Sequence, residues 1–343
     1  MVPTNAPNDI GLDLTACDRE PIHIPGAIQP HGLLLVADAD SGRIVAGAGD
    51  LETRLSANWL GGDLSVLIAQ DVGALLAEQT GRSGTIVAAP VTGLTERLDV
   101  TIHRDGDRLL VELEPVEAVP PTAAQMLGLL NAMATGFERA SNLQALCERA
   151  ATAFRQLTGF DRVMVYRFLD DEAGRVMAED RAPELGTFLN HHFPASDIPK
   201  QARALYVRNR TRTIPQIDYT PAMLRPAGFE TLDLSDVTLR SVSPIHLRYL
   251  SNMGVAASAS ISIVKDGLLW GLIACHHGSP KALTPDIRAA SATLASGLAR
   301  QIRAKEEAET YRERLRLRAA EDMVTPQLAT EPAPRRIVTA LRD

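Results

Sequence analysis

Apolar residues recur along the chain in two rhythms, and the change from one to the other divides it. Early on, residues 33–37 and 44–48 are short apolar runs separated by Asp38-Ala39-Asp40-Ser41-Gly42, a turn composition, and they predict two strands. Residues 97–103 and 108–114 predict a second pair about Asp105-Gly106, a dipeptide that accepts the positive φ angles of a tight hairpin. Short helical patterns lie between the pairs. Val119-Pro120-Pro121 then interrupts helix and sheet alike and marks a boundary.

Beyond it the helical period dominates. Ser141 and Gln144 have the spacing of a capping box, and Leu143, Leu146, Cys147, Ala150, Phe154 and Leu157 follow on one face until Gly159 stops the helix. On such a face Cys147 reads as a small core residue. Residues 163–168 predict a strand, and 258–264 with 268–276 predict a hairpin about Asp266-Gly267. From Thr284-Pro285-Asp286 a helical pattern continues to about Met323. Ile287, Leu294, Leu298 and Ile302 make its first half apolar, whereas 305–313 is densely charged, so this helix is expected to begin against the domain and then project towards a partner. Residues 324–343, with Pro326, Pro332 and Pro334, read as the cut-short start of a further domain.

A length of 343 residues suits two domains, and 45% hydrophobic with 22% charged residues suits packed interiors. Thirty-five basic against 42 acidic residues give a net charge of -7 with no Lys/Arg block, so nucleic acid is not an expected partner. No apolar run approaches the roughly 20 residues that span a bilayer, so no membrane association is expected. Cys17, Cys147 and Cys275 are an odd, sparse set that suits a reducing compartment, the cytoplasm. Leu14-Thr15-Ala16-Cys17 has the look of a lipoprotein cleavage site. Residues 2–13 lack the basic start and apolar stretch of a secretory leader, so lipidation is not expected.

Candidate chemistry gathers in the second domain. Five of eight histidines (His191, His192, His246, His276, His277) and four of five tyrosines (Tyr166, Tyr206, Tyr219, Tyr249) fall there. In a chain with 4% aromatic residues this suggests a pocket for something flat with polar edges. Zinc is disfavoured, since neither His-Glu-x-x-His nor Cys-x-x-Cys occurs. Ser243-Pro244 starts a helix that places His246, Tyr249, Leu250 and Met253 on one face, read from spacing alone as a core face. A second helix beginning near Pro199 aligns Ile198, Ala202, Leu205 and Tyr206, and Arg203, Arg208, Arg210 and Arg212 offer forked donors for carboxylates.

Four blocks in these regions resemble the bacterial phytochromes: residues 17–32 (CDREPIHIPGAIQPHG), 194–199 (PASDIP), 240–247 (RSVSPIHL) and 270–277 (WGLIACHH). The resemblance implies an α+β fold of two domains, PAS then GAF, each an antiparallel sheet flanked by helices. It also implies a figure-of-eight knot between them and a long C-terminal helix. The expected division is an N-terminal attachment segment at 1–32, PAS at 33–119, GAF at 122–302, and a connecting helix with the truncated start of a PHY domain at 303–343. The blocks do not reach a PHY domain or the histidine kinase usual in the family. The fragment is therefore expected to begin photoconversion but to hold its second state poorly and to fluoresce more than a full receptor. A homodimer through the GAF and C-terminal helices is implied as well.

The family binds biliverdin IXα, a linear tetrapyrrole, through a thioether from a cysteine ahead of the PAS domain, the position of Cys17; Cys275 is the weaker candidate. By the same resemblance, the Asp197 carbonyl and His246 receive the pyrrole N–H groups, and Arg212 and Arg240 hold the propionates with help from Ser258 and Ser260. His276 lies near the ring D carbonyl, and Tyr166, Tyr206, Tyr249, Phe193, His191, Ile198, Pro199 and Met253 match pocket positions. Ile28 matches the threaded segment, which also contacts the chromophore site. The implied activity is red/far-red sensing by Z/E isomerisation at the methine bridge between rings C and D, with no enzyme activity beyond pigment self-attachment. One conflict arises from strand register. A two-residue turn at Asp266-Gly267 pairs Ser260 with Ile273 and puts His276 on the opposite face, unless a bulge intervenes. The alternative function is a GAF sensor for haem or a cyclic nucleotide, which needs a pocket but neither Cys17 nor the two arginines.

Overall fold

A computed structural model describes residues 20–78, 84–116, 121–195, 198 and 200–330. The chain enters through a two-residue strand, β1 (Ala27–Ile28), and then builds a five-stranded antiparallel sheet. Its strands are β2 (Leu33–Asp38), β3 (Ile44–Ala48), β4 (Thr85–Thr92), β5 (Arg97–Asp105) and β6 (Arg108–Pro115), in the order β3-β2-β6-β5-β4. Three short helices, α1 (Leu51–Arg54), α2 (Leu64–Leu67) and α3 (Val72–Glu78), cover one face. The strand pairs are where the sequence predicts them, but β4 is additional. It carries Pro90 beside a bulge at the sheet edge, where a missing N–H costs no ladder bond.

Strand β2 is buried on both faces, with Leu33, Leu34, Leu35 and Val36 at 0% exposure, which explains its unbroken apolar run. Leu33 and Leu35 join the core beneath α1–α3. Leu34 and Val36 join Ile28, Leu224, Leu234, Val237 and Leu239, so the other face of this sheet is the contact with the second domain.

The second domain begins with α4 (Ala123–Glu138) and α5 (Leu143–Thr158). The α5 cap is Asn142, whose side chain accepts from the Ala145 N–H at 2.9 Å, one residue later than the expected Ser141 capping box. Gly159 ends α5 at φ 67°, as its sequence predicts. A six-stranded antiparallel sheet follows in the order β10-β12-β13-β7-β8-β9. It comprises β7 (Arg162–Phe168), β8 (Gly174–Arg181), β9 (His192–Phe193), β10 (Thr211–Ile214), β12 (Ala257–Lys265) and β13 (Leu268–His277). Between them lie α6 (Lys200–Arg208), the short β11 (Ala222–Met223) and α7 (Pro244–Asn252). The last element, α8 (Pro285–Thr330), runs past the expected end.

The faces of this sheet have separate duties. Val163, Val165, Ile261, Ile273 and Cys275 pack on Leu146, Cys147, Ala150 and Phe154 of α5 and on Leu294, Leu298 and Ile302 of α8. Burial pushes the thiols of Cys147 and Cys275 up to about 12. Beyond Ile302, α8 leaves the core and exposes Tyr311, Leu315, Leu317 and Met323.

The domains are joined through the loop between β10 and α7. The His23 carbonyl accepts from Leu234 N–H at 2.8 Å, that of Gly26 from Leu224 at 2.9 Å and that of Ala27 from Ser241 at 3.0 Å. Strand β1 pairs with β11, and the Gln29 N–H donates to the Leu239 carbonyl at 2.7 Å. The N-terminal segment is thus bonded to both limbs of the loop, as threading requires. A second tie joins Glu114 of β6 to Arg288 of α8 through two hydrogen bonds of 2.9 and 2.5 Å. Burial alone would raise the Glu114 carboxyl, but Arg288 and His31 outweigh it and hold it down at about 2.

Candidate functional site

The free face of the second sheet becomes a cavity wall because a bulge sets its register. Asp266 and Gly267 take φ of 55° and 79°, the turn their identities predict. The register then shifts between Ile263 and Val264, so Ser260 pairs with Ala274 and Ser258 with His276. The bulge resolves the conflict posed by the bare hairpin, and His276 and both serines share one face. Arg212 on β10 pairs with Ser260 and reaches the same side. Cys275, one residue from His276, points into the opposite core.

Helices α6 and α7, with the N-terminal segment, close the cavity, which holds about 280 Å³. Ser243 caps α7 and Pro244 occupies its first turn, which directs His246, Tyr249, Leu250 and Met253 inwards. This face, read from spacing as core, is therefore mainly cavity lining, with Leu250 alone fully buried among the four. The lining includes Tyr166, Phe193, Ile198, Tyr206, Arg212, Arg240, His246, Tyr249, Met253, Ser258, Ser260 and His276. Two expected residues lie elsewhere. His191 is exposed with its ring 5.5 Å from that of Phe188, and Ile28 is buried in the interdomain cluster. Cys17, Asp197 and Pro199 lie outside the described residues. Of the arginine run, only Arg212 lines the cavity. Arg203 binds the Ile198 and Glu172 carbonyls, Arg208 binds Asp236, and Arg210 binds Ser296.

The cavity lining combines charged arginines with imidazoles. Arg212 donates to the carbonyls of Thr238, Arg240 and Ser241 at 2.9, 2.6 and 3.1 Å, and Arg240 donates to those of Leu234 and Ser235 at 3.2 and 3.1 Å. Among the described residues neither has a carboxylate salt-bridge partner, and their remaining N–H groups are available to a ligand. Burial lowers the pKa of Arg212; burial together with the nearby Arg212 charge brings that of Arg240 down to about 9. A ligand anion here would relieve this cost. Elsewhere in the lining, burial and then Arg212 push His246 down to about 4, and burial, Arg162 and His246 do the same to His276. Both imidazoles are therefore neutral at pH 7. His246 stacks on Tyr249 at 6.1 Å, and Nδ1 of His276 is buried without a hydrogen-bond partner among the described residues. Such a site suits a flat apolar molecule with carboxylates at one edge and exchangeable hydrogen bonds at the other.

Glu20 is a wall residue that spacing does not reveal. It lines the cavity and accepts from the Ser243 hydroxyl at 2.6 Å, which ties the N-terminal segment to the α7 cap. Its only signal is membership of the first sequence block.

The PAS fold family matches residues 17–116 and the GAF domain family residues 142–303. The structure is similar to the chromophore-binding domain of an unusual bacteriophytochrome from R. palustris, with a TM-score of 0.74 and 39% identity over 85% of this chain and 99% of that one. The chain belongs to the bacteriophytochromes. It is also similar to the wild-type photosensory core module of the Stigmatella aurantiaca phytochrome, with a TM-score of 0.80 and 39% identity, covering 95% of this chain and 67% of that one. A bacteriophytochrome from Xanthomonas campestris is 39% identical over 310 residues, or 85% of this chain. The chain spans about half the length of that relative, 48%, and 46% of a Nostoc phytochrome. No described helix of this bacteriophytochrome is long and apolar enough to cross a membrane.

Proposed function

We propose that this bacteriophytochrome chain is the light-sensing part of a red/far-red photoreceptor and that its cavity holds biliverdin IXα, tethered to Cys17 by a thioether. The observation that carries the reading is the pair of buried guanidiniums, Arg212 and Arg240, which line the cavity and have no carboxylate salt-bridge partner among the described residues. When bound, the pigment supplies light absorption and Z/E isomerisation at the methine bridge between rings C and D.

The chain's own residues hold and bias. Arg212 and Arg240 bind the propionates by charge-assisted hydrogen bonds, and Ser258 and Ser260 on the neighbouring strand add hydroxyl donors. Neutral His246 accepts from the pyrrole side together with the Asp197 carbonyl. His276, which lines the cavity, offers its imidazole to the ring D carbonyl. Tyr166, Phe193, Tyr206, Tyr249 and Met253 exclude water. The arginines that hold the propionates and the imidazoles that face the pyrrole and ring D groups together make a two-position element that light biases. Cys275 is unsuited to attachment, being buried on the opposite face with its thiol pushed up to about 12. We further propose that the chain forms a homodimer through α4, α5 and the exposed apolar residues of α8.

Incubation of the apoprotein with biliverdin, denaturing electrophoresis and zinc staining test the attachment. A fluorescent band is expected from the parent and from Cys275→Ser, and none from Cys17→Ser. A band that survives Cys17→Ser would overturn the assignment.

A further inference from the structure

We propose that Glu112 of the first domain, held by His103, is a positioning residue for the anion-binding arginines of the second; this rests on the proposed pigment site. Glu112 is 1% exposed and His103 is 5% exposed. They are diagonal neighbours on β6 and β5, and His103 Nε2 lies 2.7 Å from Glu112 Oε1. The Thr85 hydroxyl lies 3.0 Å from His103 Nδ1. With that hydroxyl donating to Nδ1, the other ring nitrogen carries the proton and donates to the carboxylate.

Across the domain contact the carboxylate grips main-chain N–H groups of the loop. Its Oε1 accepts the Thr238 N–H at 3.0 Å and its Oε2 accepts the Leu239 N–H at 2.7 Å. Three carbonyls of this stretch serve a cavity side chain. Those of Thr238, Arg240 and Ser241 hold the Arg212 guanidinium, and Arg240 itself extends from the same stretch. Glu112 therefore fixes from outside the backbone that aims both cations. Adhesion between the domains does not require it, because the apolar cluster of Ile28, Leu34, Val36, Leu234, Val237 and Leu239 already joins them. A buried carboxylate satisfied by two main-chain N–H groups and an imidazole suits a part that sets geometry.

Reversible binding of biliverdin and of its dimethyl ester, measured by absorbance titration of the full chain carrying Cys17→Ser, tests this. The ester has lost the charges that the arginines read. Glu112→Gln presents an amide N–H where an acceptor is needed, so the preference for the diacid should fall about tenfold, the worth of one charge-assisted hydrogen bond. His103→Gln should lower it by less. Val111→Ala, on the opposite face of β6, should lower Tm and leave the preference intact. An unchanged preference in folded Glu112→Gln overturns the proposal, and His103→Gln decides in the same sense if that variant does not fold. If the Cys17→Ser chain itself does not distinguish the two pigments, the underlying assignment of the arginines falls, and this one with it.

Discussion

Replacing Gly174 with alanine perturbs the cavity at one close approach. Gly174 opens β8 and pairs with Phe168 on β7 and Phe193 on β9. A Cβ added there would lie 1.6 Å from the Tyr166 hydroxyl oxygen and 1.7 Å from its Cζ. Ordinary carbon contacts are about 3.5–4.0 Å, so the ring tip must retreat by roughly 2 Å. The φ of Gly174 is not left-handed, so alanine suits the backbone and the cost falls on Tyr166. That side chain is 8% exposed, with its ring 5.3 Å from Phe168 and 5.9 Å from Phe193, which leaves the cavity as the direction of retreat. Overpacking of this kind costs about 1–3 kcal/mol. Gly174→Ala is therefore expected to lower the Tm of the apoprotein by several degrees and to shift the absorption maximum of its biliverdin complex. In a Tyr166→Ala background the same change should cost little, so a double-mutant cycle should return a coupling of about 1–3 kcal/mol. Additive effects with an unchanged spectrum would refute this packing.

Two further outcomes follow from the same geometry. His246 and His276 fall to about 4 when folded, below the ordinary 6.5, so the stability they confer is complete above pH 6.5 and is lost as pH falls towards 4. Each contributes no more than about 3 kcal/mol, and His276→Gln should flatten the difference between urea melts at pH 7 and pH 5; an unaltered slope would contradict the neutral assignment. Tyr311, Leu315 and Met323 recur at helical spacing on the exposed half of α8, so Leu315→Glu should weaken self-association at least tenfold in sedimentation equilibrium, and an unchanged mass would count against that interface.

Local chemistry was legible wherever a few adjacent residues decide it. Asp266-Gly267 makes the expected turn, Gly159 stops α5, and Ser243-Pro244 starts α7. The bulge at Ile263 and Val264 has no comparable signature, and it alone brings His276 to the side of Ser260. Charged strands such as β8, where Glu179 pairs with Arg162 at 3.0 Å, lack the apolar periodicity that marked their neighbours. Glu112 and Glu114 flank Leu113 in β6, and no local pattern shows that their face meets the second domain. The four sequence blocks pointed to the cavity residues through family likeness. They did not distinguish residues that line it, such as Tyr206, from His191 and Ile28, whose places depend on how distant segments pack.

An absorption spectrum of the purified chain with biliverdin, taken before and after red light, tests the central assignment most directly. A red band that forms on mixing, survives denaturant through Cys17 and loses amplitude on illumination is expected. A protein that stays colourless, or whose colour washes out in denaturant, would contradict a tethered bilin in this cavity.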